Sequence, residues 1–88
     1  MPIEKISYTS KFAKNFKKLD RTIKLGVEKK IDLFKINPRH TSLRTHKLSG
    51  ELQDSFSFRV DYSYRILFVF ENSNEVTFID IRTHSIYD

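Results

Sequence analysis

Two hydrophobic periods follow one another in this chain, and their order restricts the fold more than any single motif does. From residue 10 to 36 apolar side chains recur every three or four positions: Phe12, Phe16 and Leu19, then Ile23, Val27, Ile31 and Phe34. From residue 55 onward the apolar residues alternate instead, in runs such as Phe56, Phe58, Val60 and Ile66, Phe68, Phe70. The first period belongs to helices with one buried stripe, the second to strands with one buried face. Ser10 is placed to cap the first helix and Asp20 the second, which Asn37 and Pro38 end. Gly26 weakens the middle of that second helix slightly. Ile3, Ile6 and Tyr8 suggest a short strand ahead of the helices, and further strands are expected at about 44–48, 55–61, 64–70 and 76–83. The order predicts an α+β domain, with two N-terminal helices packed on one face of a mostly antiparallel four- to five-stranded sheet.

Alternation also predicts which residues share a face. With Phe56, Phe58 and Val60 packed under the helices, Ser57, Arg59 and Asp61 point away. Ile66, Phe68 and Phe70 oppose Arg65, Leu67 and Val69 in the same manner. A three-residue connection through Tyr62, Ser63 and Tyr64 would pair Asp61 with Arg65. In the last strand Ile79 and Ile81 are expected in the core, leaving Phe78, Asp80, Arg82 and His84 on the open face. A four-residue turn pairing Glu71 with Val76 sets Arg65 opposite Arg82, with His84 just beyond the strand end. Leu67, Val69, Val76 and Phe78 make that open face partly apolar, which predicts a partner across it.

The 88 residues suffice for one domain spanning 1–88, burying about 60% of the surface of the unfolded chain. There is no cysteine, so neither a disulfide framework nor a thiolate metal site is expected, and a reducing compartment is the natural setting. The N-terminus lacks the apolar core of a signal peptide, and the run Ile66 to Phe70 is too short to cross a bilayer, so a soluble, cytoplasmic protein without membrane contact is expected. Charge is unevenly spread: residues 1–47 hold 13 Lys and Arg against 4 Asp and Glu, whereas residues 48–88 hold 3 against 7. The basic half suits a polyanion or an acidic protein, although lysines on amphipathic helices also serve simply as a solvated face.

Three arginines and a histidine on one surface suit RNA cleavage without a metal. The 2′-hydroxyl must lose a proton, the phosphorane must be neutralised and the leaving 5′-oxygen must gain a proton. Histidine titrates near neutrality, and a guanidinium matches phosphate oxygens in a bidentate fork. Tyr62, Tyr64 and Tyr87 offer stacking surfaces for unpaired bases. Each residue also has a plain structural reading. His84 can cap a strand end, His46 can be an ordinary edge-strand residue, His40 is surface loop, and Arg59, Arg65 and Arg82 can pair with nearby carboxylates such as Asp61, Glu71 or Asp80. Three histidines without metal-ligand spacing do not make a zinc site, two glycines do not make a phosphate loop, and a serine nucleophile elbow is absent. No cofactor is called for.

The segments HKLSGELQDSFSFRVDYSYRILFVF and VTFIDIRTHSIYD resemble the C-terminal half of RelE/ParE-superfamily toxins. The resemblance rests on the small-residue turn Leu48-Ser49-Gly50, on Phe58-Arg59-Val60, on Tyr64-Arg65-Ile66 and on Thr83-His84-Ser85-Ile86-Tyr87, and the element order extends it over the whole chain. It implies a ribosome-dependent mRNA endonuclease held in check by an acidic antitoxin. His84 resembles the C-terminal general acid or base of the YafQ-like branch, His46 that branch's earlier histidine, Arg65 the arginine that steadies the transferring phosphate and Tyr87 a terminal aromatic near the substrate. Arg59 and Ser63 stand where that branch has another histidine and an acidic residue, and Arg82 replaces a glycine. The expected catalytic set is therefore His84, His46, Arg65 and Arg59, with Arg82, Tyr87, Tyr64, Lys47 and Arg44 contacting RNA. Expected partners are the antitoxin, in a hetero-oligomer, together with mRNA and ribosomal RNA. A non-enzymatic gyrase inhibitor similar to the ParE branch, and an inactive relative that only binds its antitoxin, are the alternatives.

Overall fold

The computed structural model describes residues 2–48 and 54–83, so the Ser49-Gly50 turn, His84 and Tyr87 lie outside the described residues. The chain runs β1 (Lys5–Tyr8), α1 (Ser10–Lys17), α2 (Arg21–Ile36), a 3₁₀ turn (Thr41–Leu43), β2 (His46–Lys47), β3 (Ser55–Arg59), β4 (Tyr64–Asn72) and β5 (Glu75–Thr83). The five strands form one sheet in the order β1-β5-β4-β3-β2, antiparallel except for the parallel pair β1 and β5. The α+β expectation holds, with the parallel edge strand making the sheet mixed.

The helices begin where a side chain can satisfy the first free amides. Thr9, one residue earlier than expected, caps α1: its side chain accepts from the Phe12 amide at 3.0 Å and its hydroxyl donates to the Ile79 carbonyl at 2.6 Å. Asp20 caps α2 by accepting from the Ile23 amide at 3.0 Å. Phe12 of α1 and Val27, Ile31 and Phe34 of α2 are buried against Phe58, Val60, Ile66, Phe68, Val76, Phe78 and Ile81 of the sheet and the β3–β4 connection. Phe34 sits at the centre, 4.7 Å from the Phe58 ring, 4.9 Å from Phe68 and 5.5 Å from Phe78. Each such ring pair adds about 0.5–1.5 kcal/mol beyond its buried area. Arg39 closes one end of the core, its guanidinium 5.5 Å from the Phe56 ring and 6.0 Å from Phe70.

Strand register departs from simple alternation at three places. Arg59, not Asp61, lies opposite Arg65, so the β3–β4 connection is longer than three residues. The cause is Asp61, whose carboxylate accepts from the Ser63 and Tyr64 amides, each at 2.8 Å, and so builds a side-chain-closed turn in place of further ladder. Asn72 pairs with Glu75, which leaves a two-residue turn rather than four, and Glu71 is then skipped because Phe70 pairs with Val76. Leu67 pairs with Asp80 while Phe68 pairs with Phe78, which leaves Ile79 as an extra residue on β5. One bulge on each strand compensates the other, so Arg65 faces Arg82 as expected.

Between these two irregularities the facing of β5 is inverted. Val76 and Phe78 enter the core, Phe78 with no exposed surface, while Ile79 stays half-buried outside the core cluster. The expectation that Phe78 and Val76 lie on the open face and Ile79 inside is therefore overturned. A bulge inserts one residue and resets the alternation, so Phe78 and Ile81, three apart, share the buried side. The same reset takes Asp80 and Arg82 off the side that Phe78 and Ile81 share, and leaves the Asp80 carboxylate within reach of Asn15 and Lys11 of α1.

Candidate functional site

Residues 48–88 contain three basic residues, and the sheet sets all three in one row. Arg59 of β3 lies opposite Arg65 of β4, which lies opposite Arg82 of β5. Neighbouring strands are about 4.8 Å apart, so three guanidinium-bearing positions fall within about 10 Å. Like charges set directly across a sheet repel one another, and a bound polyanion would offset that repulsion. Each of the three is partly exposed.

The adjacent row is His46, Ser57, Leu67 and Asp80, across β2 to β5. It differs from the open surface expected there: Ser57 and Leu67 are each 1% exposed and Asp80 is buried as well. His46 itself is exposed and held at both ring nitrogens. Its Nδ1 is 2.9 Å from the Arg44 carbonyl oxygen and its Nε2 3.4 Å from Ser57 Oγ. A carbonyl can only accept, so Nδ1 is a donor, and the tautomer that fits this contact is the one with Nε2 as acceptor. Arg44 adopts φ 49°, the left-handed region that costs a non-glycine residue about 1–2 kcal/mol, in the conformation that presents that carbonyl to the histidine.

A concavity of about 270 Å³ opens beside these groups, lined by Arg44, His46, Ser57, Phe58, Arg59, Asp61, Tyr64 and Arg65. Tyr64 packs against the core and contributes to the wall, whereas Tyr62 is 90% exposed with the Arg59 guanidinium 6.0 Å above its ring. Lys47 is not part of this arrangement. It pairs with Phe56, whose ring packs toward the core, and its ammonium is 3.6 Å from Asp54. Of the nine residues expected from sequence, the concavity and the arginine row gather His46, Arg44, Arg59, Arg65, Arg82 and Tyr64; His84 and Tyr87 lie outside the described residues.

Sequence reasoning passed over Asp80 as part of the site. Its carboxylate accepts from Asn15 Nδ2 at 2.7 Å, the Ile81 amide at 2.8 Å and Arg82 Nε at 3.1 Å, with Lys11 Nζ at 3.7 Å. Burial pushes its carboxyl up, but the Asn15 bond, the Arg82 bond, the Lys11 charge and the Ile81 amide together outweigh that and hold it below the usual carboxylate range. The signal available in the sequence was the i, i+2 pair Asp80 and Arg82; its link to Asn15, 65 positions away, was not legible. Among the described residues no group of three or more His, Asp and Glu is arranged to hold a metal ion, and no helix is long and apolar enough to cross a membrane.

Residues 6–86 match the family model described as ParE toxin of type II toxin-antitoxin system, parDE. No curated protein matches the chain in sequence. Several solved structures share the fold. The YoeB/ParE toxin from Agrobacterium tumefaciens superposes with a TM-score of 0.77 at 17% identity, covering 93% of this chain and all of that one. The archaeal RelE-RelB complex from Pyrococcus horikoshii gives 0.75 at 13% identity over 98% and 99% of the two chains. The DinJ-YafQ toxin-antitoxin complex of E. coli gives 0.71 at 17% identity over 96% and 94%.

Proposed function

The chain belongs to the ParE toxin family of type II toxin-antitoxin systems, within the RelE/ParE superfamily, and on that premise we propose that it is a toxin that cleaves mRNA on the ribosome. One observation carries the reading: three arginines in register across three strands, one row from a histidine whose Nδ1 is held against the Arg44 carbonyl. In the proposed reaction His46 Nε2 takes the proton of a 2′-hydroxyl, whose oxygen attacks the adjacent phosphorus. The P–O5′ bond breaks, leaving a 2′,3′-cyclic phosphate and a 5′-hydroxyl. Arg59, Arg65 and Arg82 neutralise the charge that builds on the phosphorane oxygens, a task suited to guanidinium forks. His84, which the RelE/ParE resemblance gives as a general acid or base, is proposed here as the donor to the leaving oxygen. Tyr64 and Arg44 border the concavity where a nucleotide would sit, and the lysines of α1 and α2 would meet ribosomal RNA.

An acidic antitoxin is the proposed partner. The basic residues of 1–47 give it complementary charge, and the E. coli DinJ-YafQ structure with this fold is itself a toxin-antitoxin complex. The ParE family match favours a second reading, inhibition of DNA gyrase by binding alone. Induction of the protein followed by primer extension on cellular mRNA, with a gyrase supercoiling assay beside it, separates the two. New 5′ ends that vanish in His46→Ala support cleavage. Lost supercoiling with intact mRNA replaces the ribonuclease reading by the gyrase one.

A further inference from the structure

Among the described residues the buried polar side chains are Ser55, Ser57 and Asp80, of which Asp80 alone is ionisable, with 4% of its side chain exposed. A buried carboxylate is costly unless it is paired and hydrogen-bonded, so its placement calls for a reason. Joining α1 to β5 is not a sufficient one. The Thr9 hydroxyl already makes that join through the Ile79 carbonyl, next to Asp80 in sequence, and a neutral amide could accept from Asn15 as well. What the charge adds is its bond to Arg82 Nε, which fixes the plane of a guanidinium whose cross-strand neighbour is Arg65.

We propose that Asp80 is a positioning residue of the arginine row: held by Asn15 of α1, it aims Arg82 at the phosphate that Arg59 and Arg65 also grip. The proposal rests on the ribonuclease reading for its ligand, and it makes the seating of α1 a determinant of the site. The bulge at Ile79 is part of the device, because without it Asp80 and Arg82 would share the face of Phe78 and point into the core.

Binding of a fluorescein-labelled single-stranded RNA to the purified protein, followed by anisotropy, tests it through Asp80→Asn, Arg82→Ala, Asn15→Ala and the double variant Asp80→Asn/Arg82→Ala. Asp80→Asn is expected to weaken binding about five- to tenfold, and the double variant to bind like Arg82→Ala alone within about twofold, since residues acting through one another are not additive. Multiplying effects in the double variant, or unchanged binding in a folded Asp80→Asn, would overturn the assignment. A second readout is hydrogen exchange at Arg82 Nε, expected to be slow in the wild type and faster in Asp80→Asn and in Asn15→Ala; unchanged exchange in both also overturns it. Asn15→Ala keeps the carboxylate, and so covers the case in which Asp80→Asn does not fold. The ribonuclease reading itself stands or falls by primer extension, and if the wild type binds no free RNA the Nε exchange still decides whether Asp80 holds Arg82.

Discussion

Arg65 and Arg82 lie directly opposite each other across β4 and β5, a register that results because two bulges, at Glu71 and Ile79, cancel. If the row exists for a polyanion, its removal should cost binding more than folding. Arg65→Ala and Arg82→Ala are each expected to keep the far-UV circular dichroism of the wild type and to relieve growth arrest on expression. RNA affinity should fall about tenfold or more in each, and the slope of log affinity against log salt should shrink by about one. Full toxicity in a folded double variant would remove the row from the mechanism.

Phe78 and Ile79 exchange the roles that plain alternation gives them, and substitution reads this out. Phe78 packs within 6.4 Å of the rings of Tyr8, Phe12, Phe34, Phe58 and Phe68. Phe78→Ala should therefore cost about 3–5 kcal/mol. Ile79→Ala, outside the core cluster, should cost less than half as much. Urea denaturation of the two variants measures both, and equal losses would contradict the bulge.

Asp80 sets the acid limb of stability. Its folded carboxyl is held below the ordinary value despite burial, by Asn15, Arg82, Lys11 and the Ile81 amide. A depressed folded pKa contributes stability that is present above the unfolded value, near 3.9, and is lost as pH falls through the folded one. The stability gap between wild type and Asp80→Asn should therefore narrow from pH 6 toward pH 3. A gap that widened on acidification would show the sign to be wrong.

Gly26 interrupts α2 without a steric reason, since a Cβ placed there meets nothing within 4 Å. Gly26→Ala should stabilise the protein by about 0.5–1 kcal/mol, chiefly through the lost freedom of the unfolded chain. For a chain of this size that is a rise in Tm of about 2–8 °C in calorimetry. No change in RNA binding is expected, as Gly26 lies outside the proposed site.

The sequence by itself determined the elements and most of their faces. Helical and two-residue periods are local properties, so the stripe Ile23, Val27, Ile31 and Phe34, the Asp20 cap and the buried faces of β3 and β4 could all be read directly. Even the opposition of Arg65 and Arg82 was legible, because the two bulges restore the count that alternation assumes. The tertiary structure alone decided that Phe78 rather than Ile79 is buried, that Arg59 rather than Asp61 neighbours Arg65, and that Asn15 grips Asp80. A bulge or a turn closed by a side chain is chosen by competition among distant contacts: the ring cluster around Phe34 gains more from Phe78 than an unbroken ladder would return. Those contacts join residues as far apart in the chain as Tyr8 and Phe78, and no local pattern records them.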